Sequence, residues 1–181
     1  SMRYAVVQGL GPVGMFACLY LCAIGIPHVY AINFGVQEQK ENLAKAFGVE
    51  HVFRLDGTDN DQKIVTKLTE ITGGLGVDLV FEASGAPAAV PMGLSLLRNR
   101  GVYLVPGQYS NHGDVAISPQ LITFKALQIL GSSQYSMVDV RKYLDFLSAH
   151  PELHDKIRAL STGYPVEKVN EAFADAMAGK N

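Results

Sequence analysis

Tyr4-Ala5-Val6-Val7-Gln8-Gly9-Leu10-Gly11-Pro12-Val13-Gly14 is followed by a long apolar segment ending near Gly25, and then by His28-Val29-Tyr30-Ala31-Ile32-Asn33. The order reads as strand, glycine turn, helix, strand. A G-x-G-x-x-G run is informative only where it follows a strand, opens a helix and closes a βαβ unit, which is its setting here. Each glycine has its own reason: Gly9 permits the tight turn, Gly11 lets a ligand approach the backbone, and Gly14 lets the helix pack closely on the sheet. Amide groups at the helix start, with the positive end of the helix dipole, then suit a pyrophosphate without any basic side chain. A glycine-rich turn that binds nothing is the bland alternative.

The apolar run from Val13 to Ile26 is too short for a membrane span, and Gly25 and Pro27 close it, so it reads as a helix covering a sheet. At 181 residues, the chain is long enough for one domain with a full sheet between two helical layers. A net charge of −2, with 18% charged residues, offers no basic field for nucleic acid and no polybasic membrane surface. The expected partner is a small molecule or another subunit. The two cysteines, Cys18 and Cys22, lie four apart on the first helix and read as thiols of a reducing cytoplasm, not as a disulfide or metal pair. Ser1-Met2 has the look of an expression scar, with residues 3–181 forming the domain proper.

Beyond Asn33, the pattern alternates. A connection over Phe34 to Gln39 leads to a helix over Lys40 to Phe47, ended by Gly48. Glu50 to Arg54 is a third strand, Asp56-Gly57-Thr58 a turn, and about Asp59 to Ile71 a helix. Asp78 to Glu82 is a continuous apolar strand, as expected for one buried on both faces, and Ala83-Ser84-Gly85 is a second glycine turn. A helix over about Pro87 to Leu97 must start nearer Ala89, because Pro91 is tolerable only in a first turn. Val102 to Val105 and Leu127 to Gly131 are the fifth and sixth strands, with a helix opened by Ser118-Pro119 between them. Ser136 with Asp139 resembles a capping box, and Pro165 to Ala178 reads as a closing amphipathic helix stopped by Gly179. Pro151, between His150 and His154, marks a helix terminus, and a solvated loop is expected there. Six alternating strands predict an α/β, Rossmann-type, doubly wound parallel sheet of order 3-2-1-4-5-6, with the ligand at the carboxyl edge near the switch point.

Five blocks carry a family resemblance: Val6 to Gly14, Leu43 to Val49, Gly76 to Gly85, Gly101 to Gly107 and Pro165 to Phe173. In that order, they resemble the coenzyme-binding domain of the zinc-type, medium-chain alcohol and polyol dehydrogenases. Pro12-Val13 is more similar to that branch than to the quinone and enoyl reductases. The resemblance implies NAD or NADP as cofactor, NAD being preferred, with hydride exchanged with an alcohol, polyol or ketone. It implies cofactor contacts at Gly9, Leu10, Gly11, Pro12, Val13 and Gly14, although proline has no N–H to give. It places Ala83 and Ser84 along the passage from adenosine to nicotinamide, and Pro106, Gly107, Ser132 and Gln134 around the nicotinamide.

Asn33 stands where the family usually carries Asp, which leaves the choice between NAD and NADP open. The family's zinc ligands and proton relay belong to a catalytic domain preceding the glycine motif. That domain is expected to be absent from this chain, a fragment in this reading, so no catalytic residue and no metal ligand is assigned here. A homodimer through the sixth strand is expected on the same grounds. A zinc-independent reductase, a non-catalytic nucleotide sensor or dimerisation module, and a methyltransferase are the competing readings.

Overall fold

The computed structural model describes residues 2–57 and 60–178. The chain packs as two compact units, Ser1–Ser133 and Gln134–Asn181. The first holds a six-stranded, all-parallel sheet built from β1 (Tyr4–Gln8), β2 (His28–Phe34), β3 (His51–Leu55), β4 (Val77–Glu82), β5 (Leu97–Val105) and β6 (Gln128–Gly131). Its order is β3-β2-β1-β4-β5-β6, as the alternation of elements predicts.

The strands read as unbroken apolar runs because both faces are covered. Val6, Ile32, Val80 and Tyr103 lie on one face, with α3 (Asp61–Ile71) and α4 (Ala89–Leu96) supplying Ile64, Leu68, Leu94 and Leu96 to the same core. The period of two turns Ala5, Val7, Val29 and Ala31 to the opposite face. There α1 (Pro12–Ala23) packs on the sheet and against α2 (Glu38–Phe47). Burying each large aliphatic side chain contributes about 1.5–3 kcal/mol. α5 (Pro119–Lys125) completes this unit.

The boundaries depart from the sequence reading in physically intelligible places. β2 runs on through Phe34, which pairs with Leu55, and α2 starts at Glu38, before Lys40. Gly48 ends α2 at φ 116, the left-handed cap expected of it. The start expected for α3 at Asp59 lies outside the described residues, as do Thr58 of the preceding turn and Gly179. α4 does begin at Ala89, but Leu97 belongs to β5, pairing with Val77 before a register shift. That irregularity is accommodated by Arg100 at φ 61 and by Gly101, where an added Cβ would lie 2.9 Å from the Leu97 side chain. Ser118 occupies the N-cap position of α5, yet its side chain makes no capping bond.

In the second unit, α6 (Met137–Ala149) carries the capping box: the Asp139 amide donates to Ser136 Oγ, and the Ser136 amide donates to Asp139 Oδ2. The stretch after His150, expected as a loop, is helical, with a 3-10 turn over Pro151–Leu153 and α7 (His154–Arg158). The single helix expected over Pro165 to Ala178 is divided into a 3-10 turn, Val166–Lys168, and α8 (Val169–Met177). Its first turn closes tightly, with the Lys168 amide donating to Pro165 O at 2.9 Å. Among the described residues, no helix is long and apolar enough to cross a membrane.

Candidate functional site

The carboxyl edge of the sheet is sewn by a row of backbone bonds. The Gly9 amide donates to Ile32 O at 2.8 Å, Ala83 to Gln8 O at 2.8 Å, Gly107 to Glu82 O at 2.9 Å and Ser132 to Val105 O at 3.3 Å. Each strand is thus tied to its neighbour at the point where its chain leaves the sheet. The turns after β1, β4, β5 and β6 therefore lie along one rim, as expected for a ligand site at the switch point.

The three glycines of the first turn differ in what demands them. Gly9 sits at φ 91, and a Cβ there would fall 2.8 Å from Ser84 Cα. Gly14 would place a Cβ only 1.9 Å from Gly9 O, so α1 can lie against the turn only without a side chain at that position. Gly11 is unlike both. Its φ of −73 suits any residue, and a Cβ added to it meets nothing within 4 Å. Neither a positive φ nor a close contact demands this glycine, which is the N-cap of α1; it keeps space open in front of the helix. The hydrogen-bond ladder of α1 starts with the Met15 amide donating to Gly11 O, so the Val13 and Gly14 amides precede it.

A cavity of about 620 Å³ adjoins this turn, within the size range of small-molecule sites. Gly9, Leu10, Gly11, Asn33, Ala83 and Ser84 of the expected residues line it. Asn33 is 7% exposed, and its Oδ1 accepts the Leu10 amide at 3.2 Å, tying the end of β2 to the glycine turn. Pro12 and Val13 are exposed in the first turn of α1, beside the cavity lining, and Gly14 is buried under that turn. Pro106 and Gly107 abut the second glycine turn: a Cβ on Gly85 would come 2.9 Å from Gly107 O. Ser132 is reached through Val105, and Gln134, at φ 64, falls in the second unit.

Several residues that organise this site carry no motif. Glu82 is fully buried at the end of β4. Its Oε1 accepts the Ser84 amide at 2.7 Å, the Ser84 hydroxyl at 2.5 Å and the Gly85 amide at 3.0 Å, while Gln108 Nε2 donates to Oε2 at 3.2 Å. One carboxylate therefore holds two rim loops. Gln8 forms part of the cavity floor, donating to Ala89 O at 2.9 Å and accepting from the Tyr103 hydroxyl at 3.2 Å. Burial, with the Glu82 charge nearby, pushes the Tyr103 phenol far above its ordinary range, so it remains a donor. Lys40 and Asp61 also line the cavity. In the sequence Glu82 is no more than the polar end of an apolar strand, and Lys40 no more than the start of a helix.

Among the described residues, no three His, Cys, Asp or Glu side chains gather as a metal site requires. His150 and His154 are separately engaged, by Glu152 at 2.9 Å and by Leu147 O at 3.0 Å. Cys18 is buried and Cys22 partly so; burial, with Cys22 beside it, pushes the Cys18 thiol up to about 12. It is an inert core group.

A family model described as zinc-binding dehydrogenase matches residues 12–149. The chain belongs to that family. The resemblance to the zinc-type dehydrogenases is thereby established. D-xylulose reductase A of Aspergillus oryzae is 29% identical over 97% of this chain and 47% of its own length. The 5-exo-hydroxycamphor dehydrogenase of Pseudomonas putida is 35% identical over 71% of this chain and 35% of its own. Among solved structures, an alcohol dehydrogenase zinc-binding domain protein from Burkholderia ambifaria shares 26% identity with a TM-score of 0.79, matching 100% of this chain and 47% of that one. The chain thus spans about half the length of these relatives, or less.

Proposed function

We propose that this chain binds NAD or NADP, and that the whole protein transfers hydride between that cofactor and an alcohol, polyol or ketone. The observation that carries the reading is Gly11. It is the one glycine of the turn that the fold does not need, and it stands at a helix mouth beside the cavity. An empty position in front of bare amides suits a pyrophosphate. The Val13 and Gly14 amides would receive it, Ala83 and Ser84 would flank the path to the nicotinamide, and Pro106, Gly107 and Ser132 would border the ring.

The bound dinucleotide supplies the hydride chemistry. The residues of this chain bind and orient it: Glu82 fixes the second glycine turn, Gln8 and Tyr103 hold the floor, and Asn33 locks the first turn to β2. In this reading, zinc and the proton relay lie outside residues 2–178. A homodimer through β6 fits its position at the edge of the sheet, where Ile129 and Leu130 are 42% and 47% exposed. The thiols Cys18 and Cys22 on α1 suit a reducing cytoplasm.

The test is twofold. Titration of this chain with NADH and NADPH is expected to saturate with one dinucleotide per chain. The full-length protein is expected to oxidise or reduce a panel of polyols and alcohols with a matching change in nicotinamide absorbance. Binding without turnover on any substrate would favour a nucleotide sensor; absence of binding by a folded protein would overturn the proposal.

A further inference from the structure

Resting on the dinucleotide reading above, the geometry at the end of β2 points to a corner that takes the 2′-phosphate of NADP, through Asn33 as donor and Lys40 as counter-charge. A carboxylate at the end of this strand would accept the adenosine ribose hydroxyls and repel a phosphate. Asn33 has no charge, and its amide is already oriented by the fold. The Leu10 backbone N–H can only donate, so the group facing it at 3.2 Å must be Asn33 Oδ1. Nδ2 is therefore the free face of the side chain, held only by a 3.5 Å approach to Phe34 O. The ribose corner is offered a donor where an NAD-selective site offers an acceptor.

Charge at the same corner agrees. Lys40 lines the cavity and is partly buried, and no ion pair among the described residues engages it. Its neighbour Glu41 does not compete for it. Glu41 is turned to Arg54, which donates from Nε and from Nη2 to its two carboxylate oxygens at 2.7 Å each. Arg54 and Glu41 thus neutralise one another. Asp61, the carboxylate that also lines the cavity, is solvent-exposed at the start of α3 and water-screened.

Calorimetric titration of the wild-type chain is expected to show NADPH binding at least tenfold more tightly than NADH, and adenosine 2′,5′-bisphosphate binding more tightly than AMP. Lys40→Gln is expected to weaken NADPH about tenfold while changing NADH less than threefold. Asn33→Asp keeps an acceptor for the Leu10 amide and is expected to reverse the preference towards NADH. Equal or tighter NADH binding by the wild type overturns the inference, as does an unchanged preference in both variants. If neither dinucleotide binds a protein that melts cooperatively, the underlying dinucleotide reading falls as well. If NADH alone binds, that reading stands and only this inference fails.

Discussion

Glu82 and Ser84 are joined twice, the serine amide and the serine hydroxyl both donating to the same buried carboxylate oxygen, at 2.7 and 2.5 Å. With Gly85 and Gln108 on the same group, loss of the carboxylate strands several donors at once. Hydrogen bonds to charged groups are worth about 1.5–3 kcal/mol each, and unpaired buried donors cost further. Glu82→Ala is therefore expected to lower unfolding free energy by about 3 kcal/mol or more in urea melts, and Glu82→Gln by less, since its amide oxygen still accepts. Equal melting of all three proteins would show that the two rim loops hold without the clamp.

Gly14→Ala tests the packing role of the third glycine. The new methyl would overlap Gly9 O at 1.9 Å and press on Ala83 Cβ at 3.4 Å, so α1 must lift from the turn. Overpacking of this kind costs about 1–3 kcal/mol, and a rigid backbone oxygen puts this case at the upper end. A melting curve indistinguishable from wild type would contradict the close contact.

Acid should loosen the opposite edge of the sheet through Asp78. Burial pushes the Asp78 carboxyl up, but the Tyr4 and Arg3 amides and the Arg98 guanidinium outweigh it and hold it below its ordinary 3.8. A depressed carboxylate contributes stability above its unfolded value and loses it as pH falls through the folded value. Asp78→Asn is expected to cost about 2 kcal/mol at neutral pH. The gap from wild type should narrow below about pH 4. A gap that stays constant down to about pH 2 would rule out the titration of Asp78 as its source.

Much of this was legible in the chain because parallel sheets write themselves as repeated apolar runs separated by glycine turns. The order of strands, the roles of Gly9 and Gly14, the start of α4 at Ala89 and the Ser136 cap all follow from local chemistry. What was not legible depended on partners distant in sequence. Leu97 looks helical until Val77 claims it for β5. Glu82 looks like a polar strand end until the loop after β5 folds back onto it. Asn33 reads as a donor or an acceptor with equal ease; only Leu10, across the turn, orients it. The division at Gln134 and the helix at His154–Arg158 likewise have no strong periodic signal, because those short segments bury few side chains.

Gly11→Val separates folding from binding, because the backbone at φ −73 accepts a β-branched residue and the new Cβ meets no protein atom within 4 Å. The decisive measurement is calorimetric titration of wild type and Gly11→Val with NADH and NADPH, alongside their thermal melts. The account predicts melts that agree to within about 1.5 kcal/mol, the scale of a residue exchange at a helix N-cap, with dinucleotide binding in the wild type and at least a hundredfold weaker binding in the variant. Equal binding by both proteins would contradict it.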